Sequence, residues 1–147
     1  MKIVIGTDHR GYQHKEFIKE KITFDNIEWL DVGAHSDVRS DYPEFAIPAM
    51  HKIQRREAQL GILLCGTGVG MSIIANRFFG IYAGLVWSMT AVREAKEDDN
   101  INVLVLPADF VSAEEAVELT AMWLTAQFKG GQYQERINQI DALGGVK

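Results

Sequence analysis

The chain has 147 residues, 47% of them hydrophobic and 24% charged, with a net charge of −5 and a single cysteine. That length suits one domain with a real core, and the mild charge with scattered Lys and Arg excludes an electrostatic nucleic-acid surface. No apolar run approaches the roughly 20 residues of a membrane span, and one thiol excludes an intrachain disulfide.

The apolar period alternates between strand and helix along the chain. Lys2–Gly6 is a short β-branched run, hence a buried strand, and it does not read as a cleaved leader. With the lone thiol, this points to a reducing, cytoplasmic setting. Tyr12, Lys15, Ile18, Lys19 and Ile22 form one side of a helix. Ile27–Val32 is a second strand, ended by Gly33, and Ala34–Asp41 is a polar loop. Tyr42–Glu57 is helical, with Pro48 expected to kink it or mark its first turn. Arg55-Arg56 reads as a solvated helix end.

Leu60–Cys65 is apolar without alternation, as in a central strand of a parallel sheet. It runs into Gly66-Thr67-Gly68-Val69-Gly70, with a helix following through Arg77. Ile81–Val86 is a fourth strand, Ser88–Asp99 a helix and Val103–Leu106 a fifth strand. Ser112 and Glu115 make a capping box for a helix striped by Ala113, Ala116, Val117, Thr120, Trp123 and Leu124. Gly130-Gly131 ends it. A helical tail over about 132–147 puts Ile137, Ile140 and Leu143 on one face.

Five strands alternating with helices predict a single α/β domain over 1–147. It is a three-layer α/β/α, doubly wound five-stranded parallel sheet, Rossmann-like with a flavodoxin-like strand order. In that order ligands sit past the carboxyl ends of the first and third strands. Those ends carry Thr7-Asp8-His9-Arg10-Gly11 and the loop Cys65–Gly70.

Gly66, Gly68 and Gly70 let the backbone turn tightly and aim N–H groups at one point ahead of a helix N-terminus, which suits an anion such as an enediolate or a phosphate. A bare strand-to-helix turn is the plainer alternative. Other glycine-loop chemistries fail on detail. A P-loop needs Gly-Lys-Ser/Thr where Gly70-Met71-Ser72 stands, and a cysteine phosphatase needs arginine where Met71 stands. The dinucleotide fingerprint has different spacing and belongs in the first turn. Cys65 is either an inert buried thiol or a base or nucleophile, and its setting beside Thr67 and three glycines favours function. Asp8 and His9 suit sugar hydroxyls and an anionic group, against the plainer reading of a helix cap and a surface residue. Asp41 and Pro43 are explained by a helix start, with Tyr42 secondary in the pocket.

Together these segments resemble the ribose-5-phosphate isomerase B family, which includes the galactose-6-phosphate isomerase subunits. The likeness is carried by Gly6-Thr7-Asp8-His9-Arg10-Gly11, Arg39-Ser40-Asp41-Tyr42-Pro43, Cys65 through Ser72, Ala75-Asn76-Arg77, Gly80-Ile81, Asn102-Val103 and Gly130 through Arg136, in order along nearly the whole chain. The resemblance implies an aldose–ketose isomerase without metal or cofactor, acting on a sugar phosphate. It also implies a homodimer or dimer of dimers with pockets shared between subunits. By resemblance, Cys65 moves the proton between C2 and C1 and Thr67 orients the thiol. The N–H groups of Gly66, Gly68, Val69 and Gly70 hold the enediolate, and Asp8 holds hydroxyls. His9 and Arg136 meet the phosphate.

The departures are specific. Asp98, in Glu97-Asp98-Asp99-Asn100, stands where members carry a ring-opening histidine beside an asparagine, so Asp98 is the candidate opener, with Asn100 among the binding residues. Asp109 and Gln132 stand where arginines are usual, and Tyr82 replaces another. Ribose 5-phosphate is the default substrate. A tetrose phosphate, a hexose 6-phosphate or a less anionic sugar is the alternative, as is a role as partner subunit of a hetero-oligomeric isomerase.

Overall fold

A computed structural model describes residues 1–144; positions 145–147 of the expected tail lie outside the described residues. Five strands form one parallel sheet: β1 (Lys2–Thr7), β2 (Glu28–Asp31), β3 (Leu60–Cys65), β4 (Ala83–Leu85) and β5 (Val103–Pro107), in the order β2-β1-β3-β5-β4. Six helices surround it: α1 (Tyr12–Lys21), α2 (Pro43–Gln54), α3 (Val69–Ala75), α4 (Met89–Asp99), α5 (Ala113–Thr125) and α6 (Gln132–Ala142). The switch between β1 and β3 stands where expected. The order is flavodoxin-like as expected, with β5 next to β3 and β4 at the edge.

The helices explain that placement. One core cluster joins Ile3, Ile5, Ile62, Leu64, Leu104 and Leu106 to α1, α4 and α5. The other joins Val4, Leu63, Val103 and Val105 to α2 and α3. The chain goes out to β4 through α3 on one face and returns to β5 through α4 on the other. Right-handed crossovers require this change of face when the direction reverses.

β4 is shorter than the expected Ile81–Val86, and side chains take backbone groups at and before its first residue. Tyr82 N–H donates to Asn102 Oδ1 (2.8 Å), and Asn102 Nδ2 donates to the Gly80 carbonyl (2.8 Å). Asn76 clamps Ala83 likewise, accepting from its N–H (2.9 Å) and donating to its carbonyl (3.0 Å).

Helix α2 begins at Pro43 and runs through Pro48 without interruption. Pro48 is exposed, so the carbonyl that loses its partner meets water. The expected aspartate cap is not there: Tyr42 is the N-cap residue and no side chain caps it. On α5 the capping box forms as expected, with Ser112 Oγ accepting from Glu115 N–H and Glu115 Oε2 from Ser112 N–H. Trp123 is buried, its indole N–H donating to the Ile101 carbonyl at 3.2 Å. On α6 only Ile137 of the expected apolar face is buried; Ile140 and Leu143 are exposed.

The stripe on α1 contains two lysines for a reason. Lys15 is fully buried and donates to Asp31 (2.6 Å) and Glu16 (2.8 Å); Lys19 pairs with Asp31 at 2.5 Å. Burial pushes the Asp31 carboxyl up, but the Lys15 and Lys19 ammoniums and the Gly33 N–H outweigh it and hold it below the ordinary carboxylate range. Gly33, bonded to Asp31 Oδ1, in turn accepts from Thr7 N–H at 2.7 Å. The charge cluster therefore braces the end of β1, where the Asp8 loop begins.

Candidate active site

Three strand ends converge on one mouth. Register places Thr7 beside Leu64, and Cys65 beside Pro107. Past the strands the backbone continues the pairing, Ala108 N–H donating to the Cys65 carbonyl (2.9 Å) and Asp109 N–H to the Gly66 carbonyl (3.0 Å). The glycine loop therefore lies between the β1 loop on one side and the β5 loop on the other.

Cys65 is buried at 5% exposure, and Gly68 N–H donates to its Sγ at 3.2 Å. This needs the turn that glycine provides. Gly68 has φ +76°, and a Cβ there would stand 3.3 Å from Val105 Cγ1 and closer still to Leu85 Cδ1. Gly70 lies beneath the Tyr42 ring: a Cβ would meet Cε2 at 2.7 Å and the phenol oxygen at 2.9 Å. Tyr42 thus borders the loop, its ring packed on backbone that only glycine leaves open. Thr67 is exposed and its Oγ1 accepts from Val69 N–H at 3.2 Å. It shapes the start of α3, while the bond to sulfur comes from Gly68.

Asp8 is nearly buried and accepts from Arg10 N–H at 2.9 Å. The plainer reading of a cap is therefore satisfied through one oxygen, in a residue that also lines the mouth. His9 is held by Ser40: its N–H donates to Ser40 Oγ (3.1 Å), and its Nδ1 lies 3.2 Å from both the Ser40 N and O. Fixed through Nδ1, the ring leaves Nε2 for a ligand.

Two further residues meet here, Arg10 and Asp109, the latter standing where an arginine is usual. The Arg10 guanidinium lies on the glycine loop, where a Cβ on Gly66 would stand 2.6 Å from Arg10 Nε, and Arg10 Nη2 pairs with Asp109 Oδ2. The signal that finds Asp109 is strand order. With β5 inside β4, the residues after β5 must border the Cys65 loop.

Three expected site residues are not brought to this mouth. Helix α4 starts at the carboxyl ends of the strands and runs 11 residues toward the opposite edge, about 16 Å at 1.5 Å per residue. Asp98 lies in its last turn and accepts from Lys129 Nζ at 2.7 Å. Asn100 is its left-handed C-cap, φ +49°, accepting from Lys96 Nζ at 2.8 Å; burial pushes the Lys96 ammonium down. Arg136 lies over the Tyr133 ring at 5.2 Å, and Lys129 Nζ stands 5.0 Å from the same ring. Tyr82, its phenol pushed up to about 12 by burial and by Asp141, bonds Asp141 and ties α6 to this edge. The expected residues thus form two groups. Asp8, His9, Tyr42 and Cys65 through Gly70 stand at the carboxyl edge, and Asp98, Asn100 and Arg136 at the other.

Beside the glycine loop is an apolar cleft of about 320 Å³, lined by Thr67, Val69, Leu85, Trp87, Pro107 and Phe110. Val69, Trp87 and Phe110 are about half exposed or more. No described helix is long and apolar enough to cross a membrane.

The five-stranded parallel sheet that carries this arrangement has close counterparts. A family described as Ribose/Galactose Isomerase matches residues 3–140. The chain belongs to that family. Ribose-5-phosphate isomerase B of Escherichia coli (strain K12) is 36% identical over 142 residues, covering 97% of this chain and 95% of that one. The crystal structure of a ribose 5-phosphate isomerase from Thermotoga maritima is 41% identical, with TM-score 0.91, covering 96% of this chain and 97% of that one. Ribose-5-phosphate isomerase B from Mycoplasma genitalium, solved with bound ribulose-5-phosphate, is 38% identical, with TM-score 0.89, covering 95% and 93%. As a member of the ribose/galactose isomerase family the chain is an enzyme, and its fold is theirs.

Proposed function

We propose that this chain interconverts ribose 5-phosphate and ribulose 5-phosphate by proton transfer through an enediolate, with Cys65 as the base. The observation that carries the chemistry is Cys65 Sγ under the Gly68 N–H at the β1/β3 switch. The Cys65 thiolate takes the C2 proton of the open aldose. The C–H electron pair becomes the C1=C2 bond and the carbonyl oxygen takes the negative charge. The C2 hydroxyl proton then passes to the C1 oxygen, so the charge moves to the C2 oxygen. As that oxygen forms the ketone C=O, the C1=C2 pair takes the proton back from Cys65 at C1. The N–H groups of the Gly66–Gly70 loop hold the oxyanion where it develops. Thr67 sets the loop, Asp8 holds hydroxyls, His9 helps to hold the phosphate, and Tyr42 walls the mouth.

The second group completes the pocket from another copy of the chain. Asp98, Asn100 and Arg136 cannot serve Cys65 of their own protomer from the opposite sheet edge. A dimer with crossed sites would bring Asp98 to open the ring and Arg136 to meet the phosphate. The half-exposed apolar rim at Val69, Trp87 and Phe110 supports such a contact, since so much exposed apolar surface favours being covered. The whole chain, α6 included, then acts as one isomerase domain.

The test is ribose 5-phosphate turnover in deuterated water followed by NMR, with Cys65→Ala as control. Deuterium entering at C2 or C1 with the wild type and not with the variant supports the reading. Turnover that persists in Cys65→Ala overturns the thiol as base. Absence of turnover on this substrate sends the assignment to the tetrose or hexose phosphates.

A further inference from the structure

Arg10 and Asp109 stand at the mouth without a role in the proton transfer. Arg10 leaves the β1 loop, lies flat on Gly66 and reaches Asp109 after β5, so its guanidinium bridges both sides of the Cys65 loop. A Cβ at Gly66 would displace it, so the loop is built to receive it. Its placement is braced twice. Its backbone N–H is held by buried Asp8, and Asp109 N–H is held by the Gly66 carbonyl. Only Nη2 faces the carboxylate; Nε and Nη1 lie over Gly66 and keep donors for a ligand.

Depth decides which part of a substrate this cation meets. Cys65 is 5% exposed, whereas the Arg10 side chain is 49% exposed and that of Asp109 33%. A sugar that brings C1 and C2 to the buried sulfur leaves its far end at the rim. Resting on the isomerase reading above, we propose that Arg10 is a specificity-determining residue that binds the substrate's terminal phosphoryl group, and that Asp109 is its positioning residue. A guanidinium presents a fork of donors that matches phosphoryl oxygens. Asp109 holds that fork over the loop and sets a negative charge close to the incoming phosphoryl group.

The experiment measures kcat and KM for ribose 5-phosphate, and competitive inhibition by inorganic phosphate, in the wild type, Arg10→Ala, Arg10→Lys and Asp109→Asn, with thermal melts to verify folding. Arg10→Ala should raise KM and the phosphate inhibition constant together by about tenfold or more, with a smaller change in kcat. Arg10→Lys should recover part of the loss, because the charge remains but the fork does not. Asp109→Asn keeps an acceptor for Arg10 and removes the opposing charge, so KM should fall by about two- to fivefold. Arg10→Ala that melts like the wild type and leaves KM and phosphate inhibition unchanged overturns the proposal while turnover itself persists. Wild type that turns over no ribose 5-phosphate fails the isomerase reading instead, and phosphate binding followed by calorimetry in the same variants then decides Arg10 alone. If Arg10→Ala does not fold, Arg10→Lys and Asp109→Asn carry the test through their KM shifts.

Discussion

The two edges of the sheet hold polar residues in opposite ways. At the carboxyl edge, backbone does the holding: Gly68 N–H meets sulfur, Ser40 brackets His9, and the Gly66 carbonyl receives Asp109 N–H. At the other edge, side chains hold one another, as in Lys129 with Asp98, Lys96 with Asn100, and Arg136 against Tyr133. Groups fixed by backbone are preorganised and lose little on meeting a transition state. An exposed ion pair such as Lys129 with Asp98 is weakly held and can exchange partners when another molecule arrives. On the proposed function, the difference separates a preorganised catalytic half from a surface that is open to re-pairing.

The sharpest test of that contrast is Cys65→Ala. It should lower kcat for ribose 5-phosphate by about 10²–10⁴-fold with an unchanged melting curve, read by steady-state kinetics and circular dichroism. A comparable loss from a Lys129→Ala variant would erase the contrast.

The brace beneath the carboxyl edge comes next. Asp31→Asn leaves buried Lys15 short of a carboxylate and should cost about 3–5 kcal/mol at neutral pH, read by urea unfolding. Because the folded Asp31 carboxyl lies below its usual range, its contribution is present above about pH 3.9 and is lost as pH falls toward the lower folded value. The gap between variant and wild type should therefore close in acid. A gap independent of pH would show that charge is not what braces the loop.

Gly68→Ala should then separate loop geometry from sequence identity. Left-handed backbone costs an alanine about 1–2 kcal/mol, and the contact with Leu85 adds to it. Both stability and kcat should fall, whereas Gly130→Ala, also at positive φ but with open space around it, should leave kcat near the wild-type value.

The smallest expected effect concerns the second edge. Asp98→Ala should reduce turnover by about tenfold, since water also opens the ring. Mixing Asp98→Ala with Cys65→Ala should restore activity to about a quarter of the wild-type value if sites are crossed in a two-fold dimer. No recovery on mixing would confine each site to one protomer.

Much of the carboxyl edge was readable beforehand, because strand ends, glycine spacing and the lone thiol are local features. Cys65 through Gly70, Asp8 and His9 needed only the β1/β3 switch to be placed together. What escaped was non-local. Nothing in Val103–Leu106 distinguishes a strand beside β3 from one at the edge, so the meeting of Arg10 with Asp109 could not be read. Lys15 looked like part of an amphipathic stripe because its partner, Asp31, belongs to a different element. Asp98 stands in a matching segment, yet alignment with a motif does not say at which end of the sheet its helix ends.

The asparagine clamps on β4 have a consequence for how the molecule can associate. A bare edge strand is a template for further strand pairing by another chain. Here the edge strand has three residues, and Asn76 and Asn102 have already claimed polar backbone groups at Ala83, Tyr82 and Gly80. Little ladder is left to extend, so β-augmentation is closed at this edge. Association there must proceed through side-chain surfaces, which discourages runaway sheet growth and favours a closed assembly.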